Sequence, residues 1–216
     1  MRHVCTVLCA LVAVVSLEGA ADAQTIWLQR EDAGARVQLK WKGFDGKWRS
    51  ASDAVSRTLA SGTTGVLEAC ARAIPSEGDN TIASFCAAFQ HHENGIELGS
   101  SGDVVEDNFG MPFSSKTEVG ALMTFTVEGR GVQVSMGFFS NGRSKVDYVL
   151  YDHNLRQEVT SVTNQSEPTE STWDLRDGGK YTLAVKLSAS DVYGIENGFY
   201  AQFATSDAAV PIQIVP

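Results

Sequence analysis

The chain has 216 residues, of which 43% are hydrophobic and 20% are charged, and its formal net charge at pH 7 is -9. An acidic chain has no overall attraction for phosphate backbones or anionic membrane surfaces, so its composition argues against nucleic-acid binding. The length is sufficient for one large or two small domains.

Residues 1–23 predict a secretory signal peptide. A basic start precedes an apolar run, Val4–Leu17, and the small residues Ala21 and Ala23 follow. This layout predicts cleavage after Ala23 and a secreted or periplasmic protein. The alternative is an uncleaved anchor, although the run is shorter than the roughly 20 residues that a transmembrane helix needs. No later stretch is apolar for that length, so we expect no transmembrane segment after cleavage.

Residues 24–98 predict a small α+β region. Apolar residues alternate with polar ones up to Trp41, a turn is expected at 31–34, and Asp45-Gly46 is a hairpin signal. Beyond Ser52 the apolar residues recur at helical spacing in three short segments, the last running from about Thr81 to Asn94. The alternative for Phe85 to Leu98 is a hairpin that turns at Asn94-Gly95.

Two cysteines remain after the predicted cleavage, Cys70 and Cys86. An even count in an exported chain favours a disulfide over two buried thiols, and here it would link two neighbouring helices. Closing so short a loop would stabilise the fold by about 3 kcal/mol. The adjacent His91 and His92 do not share one face of a helix or strand, so they do not complete a metal site with the cysteines.

Residues 99–113 predict an acidic Gly/Ser linker, and residues 114–208 predict a β-sandwich. The second segment contains short alternating stretches separated by turn signals such as Gly129-Arg130-Gly131 and Asp177-Gly178-Gly179. Strands at this spacing indicate an antiparallel sandwich. Residues 209–216 form a tail, and the chain as a whole is expected to be mainly β.

The predicted sandwich resembles a known family. Four stretches carry the resemblance: MTFTVEGRGVQVSM from Met123, KVDYVLYD from Lys145, WDLRDGGKYTLAV from Trp173 and FYAQF from Phe199. Together they resemble the bacterial pre-peptidase C-terminal domain over about residues 120–205. That resemblance implies a jelly-roll-like β-sandwich of the kind attached to secreted hydrolases. The chain departs from the pattern at Lys145, where the family often has an acidic residue.

The resemblance also implies a calcium site. Some collagen-binding relatives hold calcium through acidic residues in the linker that enters the sandwich. Hard calcium ions bind several oxygen ligands together, and a solvated acidic linker is the alternative meaning of such a run. The residues in the corresponding place are Asp103, Glu106, Asp107 and Asn108.

No catalytic motif is found in the chain, so we expect a non-catalytic binding protein for a polysaccharide or a protein partner. Exposed aromatic side chains would carry such binding, although most large aromatics are core residues. One alternative is a hydrolase that uses His91, His92 and Glu93 or Asp32, and another is an envelope structural subunit that docks through the helices around the disulfide. The candidate ligand-binding residues are Trp27, Trp41, Trp48 and Tyr193.

Overall fold

The computed structural model of the chain describes residues 24–43, 45–59, 65–73, 82–105, 113–140, 144–190 and 197–215. Every regular element within these ranges is a β-strand. In chain order the strands are β1 (Thr25–Lys42), β2 (Trp48–Leu59), β3 (Gly65–Arg72), β4 (Ile82–His92), β5 (Gly95–Val105), β6 (Phe113–Glu128), β7 (Gln133–Phe139), β8 (Ser144–Asp152), β9 (Gln157–Gln165), β10 (Thr169–Asp174), β11 (Lys180–Ser190), β12 (Asn197–Ala204) and β13 (Ile212–Ile214).

The strands form two sheets that pack face to face. The seven-stranded sheet has the order β13-β1-β6-β11-β8-β9, with β2 also paired to β1, and the six-stranded sheet has the order β10-β7-β12-β5-β4-β3. All pairings between the named strands are antiparallel except β1 with β13, which is parallel. This architecture confirms the prediction of a β-sandwich.

Alternating burial along the strands produces one continuous core. Strand β8 shows the rule, because Val146, Tyr148 and Leu150 point inward and are at most 6% exposed, while the residues between them face out. Aromatic rings from both sheets meet in the interior: Phe125 contacts Phe203 edge-on at 5.0 Å between ring centroids. Such pairs add about 1 kcal/mol beyond the area that they bury.

The predicted helices between residues 52 and 94 are wrong. The described parts of these segments form β2, β3 and β4, and every second residue of β4 from Phe85 to Phe89 is buried, which is the period of a strand. The alternative hairpin is confirmed, since β4 and β5 turn at Glu93-Asn94. The Cys70–Cys86 disulfide is confirmed too, but it links the paired strands β3 and β4 rather than two helices.

Two predicted breaks are also absent. The turn expected at 31–34 lies inside β1, where Glu31 points into the core and is 1% exposed. The stretch 99–105, predicted as the start of the linker, continues β5 and pairs with β4 as far as Val105. Glycine in both stretches suggested a loop. Gly34 and Gly99 nevertheless lie inside strands, where their backbones are paired with neighbouring strands.

Candidate functional site

The predicted aromatic residues occupy different environments. Trp41 points into the core and is 7% exposed, whereas Trp48 is 62% exposed. Trp27 is half-buried, and its Nε1–H donates a hydrogen bond of 2.5 Å to the carboxylate of Glu128. Tyr193 lies outside the described residues. Only Trp27 and Trp48 are therefore placed to contact a ligand among the described candidates.

Both tryptophans lie on the outer face of the seven-stranded sheet, and this shared face makes it the candidate site. Trp27 is level with Thr126 of β6, and Trp48 is level with Lys42 near the far end of β1. Because β1 rises about 3.3 Å per residue, the two indoles stand near opposite ends of a long strand. A ligand that contacts both would have to be an extended molecule.

A shallow trough crosses this face from the middle of β1 to β8, and its β1 end lies between the levels of the two tryptophans. Its floor consists of small or aliphatic side chains at neighbouring register positions: Gly34 pairs with Gly120, and Leu122 pairs with Ala184, which pairs with Val149. The depression over Val149 and Ala184 has a volume of about 440 Å³. It shares Lys186 with a second depression, which shares Gly34 and Gly120 with a third. Glycine and small or aliphatic side chains on four neighbouring strands, β1, β6, β11 and β8, thus make one elongated groove.

Cationic side chains outnumber carboxylates around this trough, which sets it apart from a chain whose net charge is -9. We call it the cationic face. Its outward-pointing cations are Arg30, Arg36, Lys40, Lys42, Lys116, Lys145, Lys180 and Lys186, and its carboxylates are Asp32, Glu118, Glu128, Asp147 and Glu158. The sheet gathers these cations from four separate strands, β1, β6, β8 and β11.

Several carboxylates on this face are already neutralised by neighbours. Partial burial acts to raise the pKa of Glu118, but the ammonium groups of Lys116 and Lys186, at 3.1 and 3.3 Å, outweigh it and hold that pKa below its ordinary value. The hydroxyl of Thr58 is the largest influence on Asp32 and lowers its pKa, with Arg30 adding to the effect. These carboxylates stay ionised and paired, so the remaining positive charge of the face is available to a ligand.

Of the four predicted calcium ligands, only Asp103 lies in the part of the chain that the structure describes. The backbone of Asp103 pairs with Ser84 in the ladder between β4 and β5. Glu106, Asp107 and Asn108 lie outside the described residues.

Three of the acid–base candidates, His91, His92 and Asp32, lie in different parts of the fold. His91 is 6% exposed and points into the core, where its Nδ1 lies 2.6 Å from the carboxylate of Glu31. His92 faces outward on the six-stranded sheet, 3.3 Å from Glu97, and Asp32 belongs to the cationic face. Side chains that point into the core and to opposite outer faces do not converge on one reacting atom, as general acid–base catalysis requires.

Across the described residues, we find no helix that is long and apolar enough to cross a membrane.

Comparisons of the chain with protein-family models, with curated proteins and with solved structures find no match.

Proposed function

We propose that this chain is an exported, non-catalytic binding protein that recognises a polysaccharide through the cationic face. The observation that carries the proposal is the elongated trough, which is floored by short side chains and rimmed by cations, with Trp27 and Trp48 on either side of its β1 end. An indole offers a flat apolar surface with a polar N–H, which suits a sugar ring. The likeness of residues 120–205 to the pre-peptidase C-terminal domain supports an accessory role.

The charge of the face refines the ligand class. A polymer that carries carboxylates would be attracted to Arg36 and Lys40, whereas a neutral glucan would rely on stacking alone. We therefore infer that acidic polysaccharides bind more tightly than neutral ones. Export is supported by the disulfide, since such bonds persist in oxidising compartments, and by the signal-peptide layout of residues 1–23.

The test is co-sedimentation of the chain from Gln24 to Pro216 with insoluble acidic and neutral polysaccharides, at low and high salt. We expect binding to the acidic polymer that weakens as salt rises, because screening removes attraction between exposed charges. Adding calcium or a chelator in parallel shows whether the acidic linker contributes. Absence of binding to every polysaccharide would contradict the proposal and favour a protein partner.

Matched variants assign the binding to this face. Arg36→Gln removes an exposed cation beside the trough, and we expect about a fivefold loss of affinity for the acidic polymer, equivalent to roughly 1 kcal/mol. Arg72→Gln removes an exposed cation from the opposite sheet and is expected to leave binding unchanged. Trp48→Ala should weaken binding to either polymer without lowering the melting temperature. Equal losses for Arg36→Gln and Arg72→Gln would contradict the assignment.

A further inference from the structure

The Cys70–Cys86 disulfide lies on the outer surface of the six-stranded sheet. The two cysteines are directly opposite in the register of β3 and β4, with their Cα atoms 4.2 Å apart. Cys70 is exposed and Cys86 is half-buried, whereas their neighbours Ala69 and Ala87 are fully buried. A thiol in solution can therefore approach the Cys70 sulfur without opening the core.

A carboxylate stands beside this disulfide. Glu68 is exposed and lies two residues before Cys70 on the same face of β3. An oxygen of Glu68 and both sulfur atoms lie within 4.8 Å of one another. The two sulfurs are bonded to each other and do not serve as metal ligands, so the three residues do not form a metal site.

The strand that carries Cys70 is an edge strand held by few large side chains. Among the described strands, β3 is hydrogen-bonded in a ladder only to β4. Its inward residues are Leu67, Ala69 and Ala71, and alanine buries little apolar area. One further contact comes from the Cys70 N–H, which donates to the carboxylate of Asp53 on β2. The disulfide thus adds a covalent link to the β3–β4 ladder that holds this edge.

We propose that Cys70–Cys86 is a thiol-exchange site of the folded protein and that Glu68 makes it selective for neutral or cationic thiols over anionic ones. A thiolate attacks the Cys70 sulfur, so that a mixed disulfide forms and the bond between the two cysteines breaks. Cys86 leaves with the electron pair and takes a proton from water. A second thiol then attacks the mixed disulfide and releases Cys70, so the thiol is oxidised and the cysteine pair is reduced.

The selectivity follows from charge. The attacking species is the thiolate, which carries one negative charge in mercaptoethanol, two in mercaptoacetate and none overall in cysteamine. Repulsion from a carboxylate at about 5 Å near water slows attack by about threefold for each negative charge. Glu68 also repels the departing Cys86 thiolate, and this effect slows the reaction with all three thiols equally. Comparing the rates of the three thiols removes it.

The experiment measures reduction rates of the chain from Gln24 to Pro216 with these three thiols, for the native sequence and for Glu68→Gln. We expect Glu68→Gln to accelerate mercaptoacetate about tenfold more than cysteamine at low salt, and the difference to shrink in 0.5 M salt, where the Debye length is only about 4 Å. The matched control is Glu170→Gln, which removes an exposed carboxylate from the opposite edge strand of the same sheet. It should leave the three rates unchanged.

A second measurement establishes that the folded protein reacts. Reduction of the native fold should change little with urea below the unfolding transition, whereas attack that requires global unfolding rises steeply with urea. A steep rise, or equal acceleration of the three thiols by Glu68→Gln, would overturn the proposal.

Discussion

Asp152 shows how one side chain fixes a turn. Its carboxylate is 2% exposed and accepts hydrogen bonds from the backbone N–H groups of Asn154 and Leu155, at 2.8 and 2.9 Å. Arg176 adds a charged donor at 2.6 Å. Burial acts to raise the pKa of Asp152, but these donors outweigh it and hold the pKa below its ordinary value. The aspartate therefore stabilises the β8–β9 connection, and Asp147 acts similarly by accepting from the Asn164 N–H.

We expect Asp152→Asn to lower the free energy of unfolding at pH 7 by about 2 kcal/mol, since hydrogen bonds to a charged acceptor are lost. Because the folded-state pKa is depressed, this contribution is complete above the ordinary value of about 3.9 and is lost as pH falls through the folded-state pKa. Urea unfolding of both proteins between pH 7 and pH 2 should show the difference shrinking at the acidic end.

Asp207→Asn, in an exposed turn, is the control and should follow the native curve. If Asp152→Asn lost the same stability at every pH, the contribution of Asp152 would come from packing and not from its charge.

The pairing of Glu31 with His91 could not be predicted from the sequence. The two residues are separated by 60 positions, and Glu31 fell in a predicted turn. Their contact depends on β1 and β4 facing each other across the core, with both side chains inward. The second oxygen of Glu31 has no hydrogen-bond partner among the described residues. Burial of this unpaired oxygen costs free energy, so the Glu31–His91 pair lowers the stability of the core by its second oxygen.

At the scale of elements, β3 and β4 explain why helices were predicted. In β4 the residues Phe85 and Phe89 point inward while Cys86 points outward, yet all three fit the helical spacing i, i+1, i+4. Alanine occupies both inward and outward positions of these strands. The sequence therefore lacks the alternation of apolar and polar residues that identifies a strand. The strands of β6, β8 and β11 alternate large apolar with polar residues, and the sequence predicted those strands correctly.

Two aromatic rings on the outer face of the six-stranded sheet lie over glycines. A Cβ atom at Gly137 would lie 2.3 Å from the ring of Tyr200, and one at Gly198 would lie 2.2 Å from the ring of Phe139. Partial burial raises the pKa of Tyr200, and the carboxylate of Glu170 raises it further. Rings placed in this way cover backbone that glycine would otherwise expose.

Gly137→Ala should therefore destabilise the protein by about 2 kcal/mol, because the Tyr200 ring has to leave its position. Thermal unfolding followed by circular dichroism measures the effect. Gly99→Ala is the matched control on the same face, since its added Cβ would come no closer than 3.9 Å to any neighbour, the Asn197 carbonyl oxygen. If both variants melt at the native temperature, the ring is not held over Gly137.

At the scale of the molecule, the two predicted regions share both sheets. Strand β1 lies between β6 and β13, and β5 lies between β12 and β4. Sequence patterns identify strands one at a time, whereas neighbours in a sheet depend on contacts between distant segments. The cationic face was invisible for the same reason, because its lysines and arginines come from β1, β6, β8 and β11 in an acidic chain.

This interleaving predicts that residues 114–208 do not fold alone. Without β1 and β5 the fragment loses the strands that flank β6 and β12, and the core rings Phe125 and Phe199 lose much of their cover. We expect no cooperative thermal transition for the fragment, and a single one for residues 24–216. A fragment that unfolds cooperatively, with dispersed amide resonances, would show that the second region is an independent domain.

The parallel pairing of β1 with β13 has a mechanical consequence. Ile26 lies level with Ile212 and Leu28 with Ile214, and both strands run in the same direction. A pull between the start of β1 and the end of β13 acts along this ladder. Its hydrogen bonds are therefore loaded together in shear, and they do not break one after another. Tension applied through the two ends of the sandwich therefore meets its resistance first at this short seam.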